Sequence, residues 1–163
     1  KERRAIMPVK IKRILYATDL SATSPKAYVY AVKLAKVLDA KIVILHVVEE
    51  LQNVNILPVM SPEIIEKHYK DFETGGRQLI KERLERMCVT EFKDDPNCPN
   101  LVESVEVVIG HPFEEILNRA DKYDCDMIIM GSHGKGILAH ALLGRVAERV
   151  LRHSKKPVLV VPV

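Results

Sequence analysis

The sequence predicts a doubly wound α/β fold, a five-stranded parallel sheet with helices on both faces. Three observations predict it. Short runs rich in Val and Ile alternate with segments of helical period along the whole chain. The runs are nearly all apolar, as strands covered on both faces must be. Helix-start signals, a polar residue followed by proline, stand at Ser24-Pro25, Ser61-Pro62 and His111-Pro112. Alternation of this kind means parallel strands joined by right-handed crossovers.

The first run, Ile11 to Ala17, ends at Thr18-Asp19. After Ser24-Pro25, Tyr28, Ala31, Val32, Ala35 and Leu38 recur at helical spacing and form the buried stripe of a first helix. Ile42 to Val48 is the second strand. From Ser61-Pro62 a stripe of Ile65, Tyr69, Phe72, Leu79, Ile80, Leu84 and Met87 carries a long helix to about Cys88, with a kink expected at Gly75-Gly76. Lys93 to Asn100, with Pro96 and Pro99, is a loop. Val102 to Ile109 is the third strand, His111-Pro112 opens a helix to about Lys122, and Met127 to Met130 is the fourth strand. A glycine-bearing loop, a helix to about His153 and a last strand, Pro157 to Val161, close the chain. The stretch Leu51 to Asn100 is long for a crossover and is expected to act as a cover or an interaction arm.

The chain of 163 residues is the size of one domain, expected to span 1–163 with residues 1–10 as a flexible tail. Hydrophobic residues at 47% and charged residues at 29% exclude wholesale disorder. No Trp and only three Phe argue against a base-stacking platform, and a net charge of +3 is too small to imply a polyanionic partner, so no nucleic-acid partner is expected. No apolar run approaches the ~20 residues of a membrane span, and the basic amino-terminal stretch lacks the apolar core of a signal peptide. A cytoplasmic protein without a membrane partner is the expectation. Three cysteines, Cys88, Cys98 and Cys125, without C-x-x-C spacing predict free thiols in a reducing compartment, with neither a disulfide framework nor a zinc site.

In doubly wound sheets ligands bind beyond the carboxyl ends of the strands, where the strand order reverses. That directs attention to Asp19, to Val47 through Glu49, to Gly110 and to the segment from Gly131. Gly131-Ser132-His133-Gly134-Lys135-Gly136, with Gly144-Arg145 further on, has the character of a phosphate loop. Glycines let the backbone approach phosphate, and the N–H groups of a helix start point positive dipole at it. The P-loop pattern fails, because Ile137 follows Gly136 where Lys is required. Gly134-x-Gly136-x-x-Ala139 mimics the dinucleotide fingerprint, but it follows the fourth strand and lacks the later acidic residue. No G-x-S-x-G, no H-E-x-x-H and no paired carboxylates with an evident task are present; Glu49-Glu50 and Glu114-Glu115 read as solvated faces.

What the segment fits is G-x2-G-x9-G on Gly131, Gly134 and Gly144. With Ile14-Leu15-Tyr16-Ala17-Thr18-Asp19, Leu45-His46-Val47-Val48, Gly110-His111-Pro112, Met130-Gly131-Ser132-His133-Gly134 and Pro157-Val158-Leu159-Val160-Val161, the chain resembles the nucleotide-binding branch of the universal stress protein family. The resemblance spans Lys12 to Val161 and implies a Rossmann-like fold of the adenine nucleotide alpha hydrolase kind. It implies ATP as ligand, magnesium with its phosphates, and a stress-response regulatory role. Asp19 would lie by the nucleotide and the metal, and the backbone of Val47 would meet the adenine. Gly131, Gly134 and Gly144 would cradle ribose and phosphates, with Gly110, Met130, His133, Arg145 and Val146 completing the site. The resemblance also implies a homodimer that pairs its last strands, Val158 to Val161, antiparallel; an apolar edge strand at the chain's end invites such pairing.

One departure is Arg145, where the family carries Ser or Thr after the third glycine. The backbone N–H stays, the hydroxyl is lost, and a guanidinium grips phosphate bidentately or points to solvent. Two rival readings therefore stand beside the ATP binder: a family member without nucleotide, acting as an interaction module, and a weak ATPase. No dedicated base is identifiable, so slow hydrolysis is the most that is expected. His46 is read as a hydrogen-bonded core histidine and His111 as a helix-start residue. For His133, phosphate contact and loop ordering weigh equally.

Overall fold

A computed structural model describes residues 9–49, 62–92, 98–133 and 143–163. The strands are β1 (Arg13–Thr18), β2 (Lys41–Glu49), β3 (Val102–Gly110), β4 (Met127–Gly131) and β5 (Val158–Val161). The helices are α1 (Ser24–Leu38), α2 (Pro62–Thr90), α3 (Pro112–Lys122) and α4 (Arg145–His153), and a short 3-10 turn covers Cys98–Leu101. All strands pair in parallel in the order β3-β2-β1-β4-β5, so the order reverses between β1 and β4. This is the expected doubly wound sheet.

Strand side chains alternate between two cores, as the pleat requires. Ile14, Tyr16, Ile42 and Ile44 face α1 and α2, meeting Ala27, Tyr28, Ala31, Val32 and Ala35 of α1 and Ile80 of α2. Leu15, Ala17, Val43, Leu45, Ile128 and Met130 face α3 and α4, meeting Ile116, Ala120, Ala147 and Val150. The first strand starts two residues later than Ile11. The N–H groups of Lys12 and Arg13 donate to the Asp126 carboxylate at 2.7 and 3.0 Å, while the Lys12 carbonyl accepts the N–H of Lys41 at 2.8 Å and starts the pairing with β2. Helix α1 stops at Asp39, whose left-handed backbone (φ 53°) turns its N–H back to the carbonyls of Ala35 and Lys36.

Two expectations for the long helix are corrected. α2 runs unbroken through Gly75-Gly76. Gly76 permits a close approach: a Cβ at that position would stand 3.1 Å from Cγ1 of Val107, so the bare backbone lets the helix lie down on β3. The second correction concerns the thiols. Cys88, in the last turns of α2, and Cys98, in the 3-10 turn before β3, are joined by a disulfide with Cα atoms 5.9 Å apart, while Cys125 is free and buried. A spacing of ten residues says nothing of pairing; the meeting arises because α2 ends where the turn into the edge strand begins. Two guanidinium groups fasten α2 as well, Arg77 donating to the carbonyl of Val105 and Arg83 to that of Ser21.

Beneath α2, Tyr16 and Tyr28 stack at 5.3 Å between ring centres, almost without exposure. The Tyr16 hydroxyl donates to the Ser24 carbonyl at 2.8 Å, whereas the buried Tyr28 hydroxyl has no partner among the described residues. Tyr16→Phe is therefore expected to lower stability by about 1 kcal/mol, and Tyr28→Phe to be neutral or stabilising, in parallel denaturant titrations. Burial pushes the Tyr16 phenol up to about 12 and raises Tyr28 as well. A raised acid contributes stability that is complete below the unfolded value near 10 and is lost as pH rises through the folded value. Tyr16 alone should remove about 1.4 kcal/mol between pH 8 and pH 11. Equal stability at those two pH values would refute the assignment.

Candidate functional site

The strand reversal opens a crevice at the carboxyl ends of β1 and β4. After β1 the chain turns toward the face carrying α1, and after β4 toward the opposite face carrying α4. Ala17 pairs with Met130 and Thr18 with His46, so Asp19, Val47 and Gly131 emerge at one level of the sheet edge.

The β1 side of the crevice is held by short-range polar bonds. Asp19 Oδ1 accepts the N–H of Ser21 at 3.1 Å, and Thr18 Oγ1 accepts the N–H of Leu20 at 3.1 Å. Between them Leu20 adopts φ 59°, a left-handed conformation that a bulky residue rarely takes. Its side chain is buried in the α1/α2 core, and that burial offsets a strain of roughly 1–2 kcal/mol. His46 Nδ1 donates to the Thr18 carbonyl at 2.8 Å, which fixes the ring as its Nδ1–H tautomer and ties the end of β1 to β2. His46 is thus the hydrogen-bonded histidine the sequence suggests.

The β4 side is a loop whose two ends are joined. The Ser132 N–H donates to the Val161 carbonyl at 2.8 Å, and the Gly144 N–H donates to the Ser132 carbonyl at 2.7 Å. Gly131 and Gly144 thereby meet at the loop's base although thirteen positions separate them in the chain. Ser132 Oγ also accepts the Val163 N–H at 3.3 Å and bonds His133 Nδ1 at 2.8 Å, a loop-ordering contact for that histidine. Gly144 is the N-cap residue of α4 and has no side chain with which to cap it, so the first amides of the helix, those of Arg145 and Val146, take no cap from that residue. Arg145 is exposed on that first turn. Gly134, and Lys135 beside it, lie outside the described residues.

The other candidates are more distant. Val47 is half-buried in β2 with its side chain toward α3. Gly110 ends β3, three strand spacings from β4, or roughly 14 Å. Its φ of +155° and a Glu115 side chain that an added Cβ would meet at 3.0 Å explain the glycine locally, as the turn into α3. His111 is the N-cap residue of that helix, in keeping with its helix-start reading. Among the described residues no three His, Cys, Asp or Glu side chains group as metal ligands. The left-handed Leu20 is a feature the sequence reading missed, since nothing in a leucine marks it for that conformation.

An open parallel α/β sheet with helices on both faces, an aspartate turn after β1 and a strand order that reverses between β1 and β4 is a doubly wound nucleotide-fold-like domain, with its switch point at those two strand ends. Comparison with known proteins supplies the family. The pattern of the universal stress protein family matches residues 10–162, and the chain belongs to that family. It is 36% identical over 159 residues to universal stress protein MJ0577 of Methanocaldococcus jannaschii, covering 95% of this chain and 97% of that one. Universal stress protein MJ0531 of the same organism is 33% identical, with 92% and 81% covered. A solved structure of MJ0577 superposes with a TM-score of 0.68 at 33% identity, covering 95% of this chain and 98% of that one. A universal stress protein crystallised with cAMP shares the fold, with a TM-score of 0.60 at 22% identity over 94% of this chain and 98% of its own. No helix among the described residues is long and apolar enough to cross a membrane.

Proposed function

We propose that the protein binds ATP in the crevice between β1 and β4 and acts as a stress-response regulatory module of the cytoplasm, not as a catalyst. One observation carries the reading: the Gly144-to-Ser132 bond draws Gly131 and the uncapped amino end of α4 together beside the Asp19 turn. Backbone amides and helix dipole there favour phosphate. The triphosphate would lie on Gly131, Gly134, Gly144 and the amides of Arg145 and Val146, between Met130 and His133 on one side and Asp19 on the other. The adenine would meet the Val47 backbone, with Gly110 farther along the rim. Magnesium fits as an ion held chiefly by the phosphates, with Asp19 as the protein's carboxylate, since such ions take one or two carboxylates and keep several waters. The fold-sharing cAMP complex lends support for an adenine nucleotide.

Calorimetric titration with ATP and magnesium tests this. Micromolar binding is expected. No heat from folded protein would overturn the reading and favour the interaction module, with Arg145 as the residue that closed the site. Phosphate release at the rate of an Asp19→Ala control is expected, since the sequence offers no dedicated base for hydrolysis; a faster wild type would favour the weak ATPase.

We further propose that the protein is a homodimer paired through β5. The strand lies at the sheet's edge, and Val158, Leu159 and Val160 are only half-buried within one chain. Sedimentation of a Val160→Lys variant tests it.

A further inference from the structure

We propose that Cys88 and Cys98 are a reversible dithiol–disulfide pair whose oxidation state sets how firmly the carboxyl-terminal half of α2 is held on the sheet. The two cysteines are unlike in access. Cys98 is fully buried in the turn before β3, while Cys88 is half-buried on the last turns of the helix. A disulfide with one reachable sulfur is open to exchange, and exposed bridges are the labile ones. The third cysteine cannot compete: Cys125 is fully buried, and burial pushes its thiol up to about 11, with Lys156 and Arg13 only partly opposing that rise.

The bridge sits where α2 needs an anchor. The first half of the helix is almost wholly exposed, with Ile64 and Phe72 about half open to solvent. Contact with the core begins near Gly76 and runs through Leu79, Ile80, Leu84 and Met87. Met87, next to Cys88, together with Arg83 and Leu84 lines an open pocket of about 30 Å³ over Tyr16 and Tyr28. Arg83 in turn bonds the Ser21 carbonyl at 3.2 Å, within the turn that shapes Asp19. Opening the bridge leaves α2 with side-chain packing and two guanidinium bonds as its hold on β3 and the β1–α1 turn.

The chemistry balances with a low-molecular-weight disulfide as oxidant. The Cys88 thiolate attacks one of its sulfurs and expels one thiol. The Cys98 thiolate then attacks Cys88 Sγ in the mixed disulfide and expels the second thiol. Two protein S–H bonds are lost and one S–S bond forms, and the oxidant leaves as two thiols carrying the two protons and two electrons. An external dithiol reverses the sequence.

The test uses the full chain after incubation with glutathione disulfide or with dithiothreitol, followed by removal of the reagent. Thiol titration in denaturant should find one reactive thiol, Cys125, in the first sample and three in the second. The reduced protein should melt roughly 5–10 °C lower. Amide exchange over Leu79 to Met87 and at Ser21 should rise at least tenfold in it, while β1 and β4 stay protected. Cys88→Ser should match the reduced protein and ignore both reagents. Three titratable thiols after glutathione disulfide, or equal melting and exchange in the two states, would overturn the proposal. Should Cys88→Ser fail to fold, the wild-type comparison decides alone.

Discussion

Gly131→Val should weaken ATP binding by at least a hundredfold while the sheet stays folded. A Cβ at Gly131 would stand 3.2 Å from Cγ2 of Val163 and 3.3 Å from the backbone oxygen of His133. The Val163 side chain can yield, but the His133 oxygen belongs to the loop itself, and the larger branches of valine make the crowding worse. Relief therefore comes by moving the loop away from Ser132, whose carbonyl holds Gly144 and whose hydroxyl holds Val163 and His133. Misplacing a phosphate cradle by about 1 Å is enough for a hundredfold effect. The strain on the fold should remain near 1–3 kcal/mol, as for other overpacked sites. Calorimetry beside a thermal melt separates the two effects, and Gly131→Ala should fall between. Wild-type affinity in the valine variant would mean that the nucleotide does not lie on this loop.

Val160→Lys should shift the protein from dimer to monomer. β5 hydrogen-bonds β4 along one side, and its other side is an open ladder of N–H and C=O groups with apolar side chains about it. Val160 packs partly buried against the α3/α4 core, and a lysine there opposes strand addition by putting a charge that must stay solvated on the face of the edge strand that a second sheet would extend. Two chains meeting about a twofold axis would set two such charges face to face, and the dissociation constant should rise at least tenfold. Sedimentation velocity over a concentration series reads this directly, with circular dichroism as the check on folding. A variant as dimeric as the wild type would sink the β5 interface.

The sheet was legible because each strand is a Val/Ile run and each early helix has a start signal, so element order needed no tertiary information. Strand ends were less so: the N–H of Lys12 goes to a carboxylate 114 residues away, which no local pattern encodes. Gly76 and the Cys88–Cys98 bridge were misread for the same reason, since their causes lie on β3 and in the turn before it. The site was legible as far as Asp19, Gly131 and Gly144, where spacing and strand ends coincide. The Ser132 bonds that join the loop's ends, and Leu20 in its left-handed conformation, are products of packing and leave no trace in the sequence.

The fastening of α2 by Arg77 and Arg83 carries one more consequence. Both guanidinium groups bond backbone carbonyls, to Val105 and to Ser21. Neither partner gains or loses a proton in the acidic range, because arginine stays charged and an amide oxygen does not titrate there. An ion pair with a carboxylate dissolves once the carboxylate is protonated, but a bond to an amide carbonyl does not. The two carbonyl bonds are thus indifferent to acid, although Arg77 is also paired with Glu73 within α2, and the face over Tyr16 is sensitive to alkali at its buried phenols.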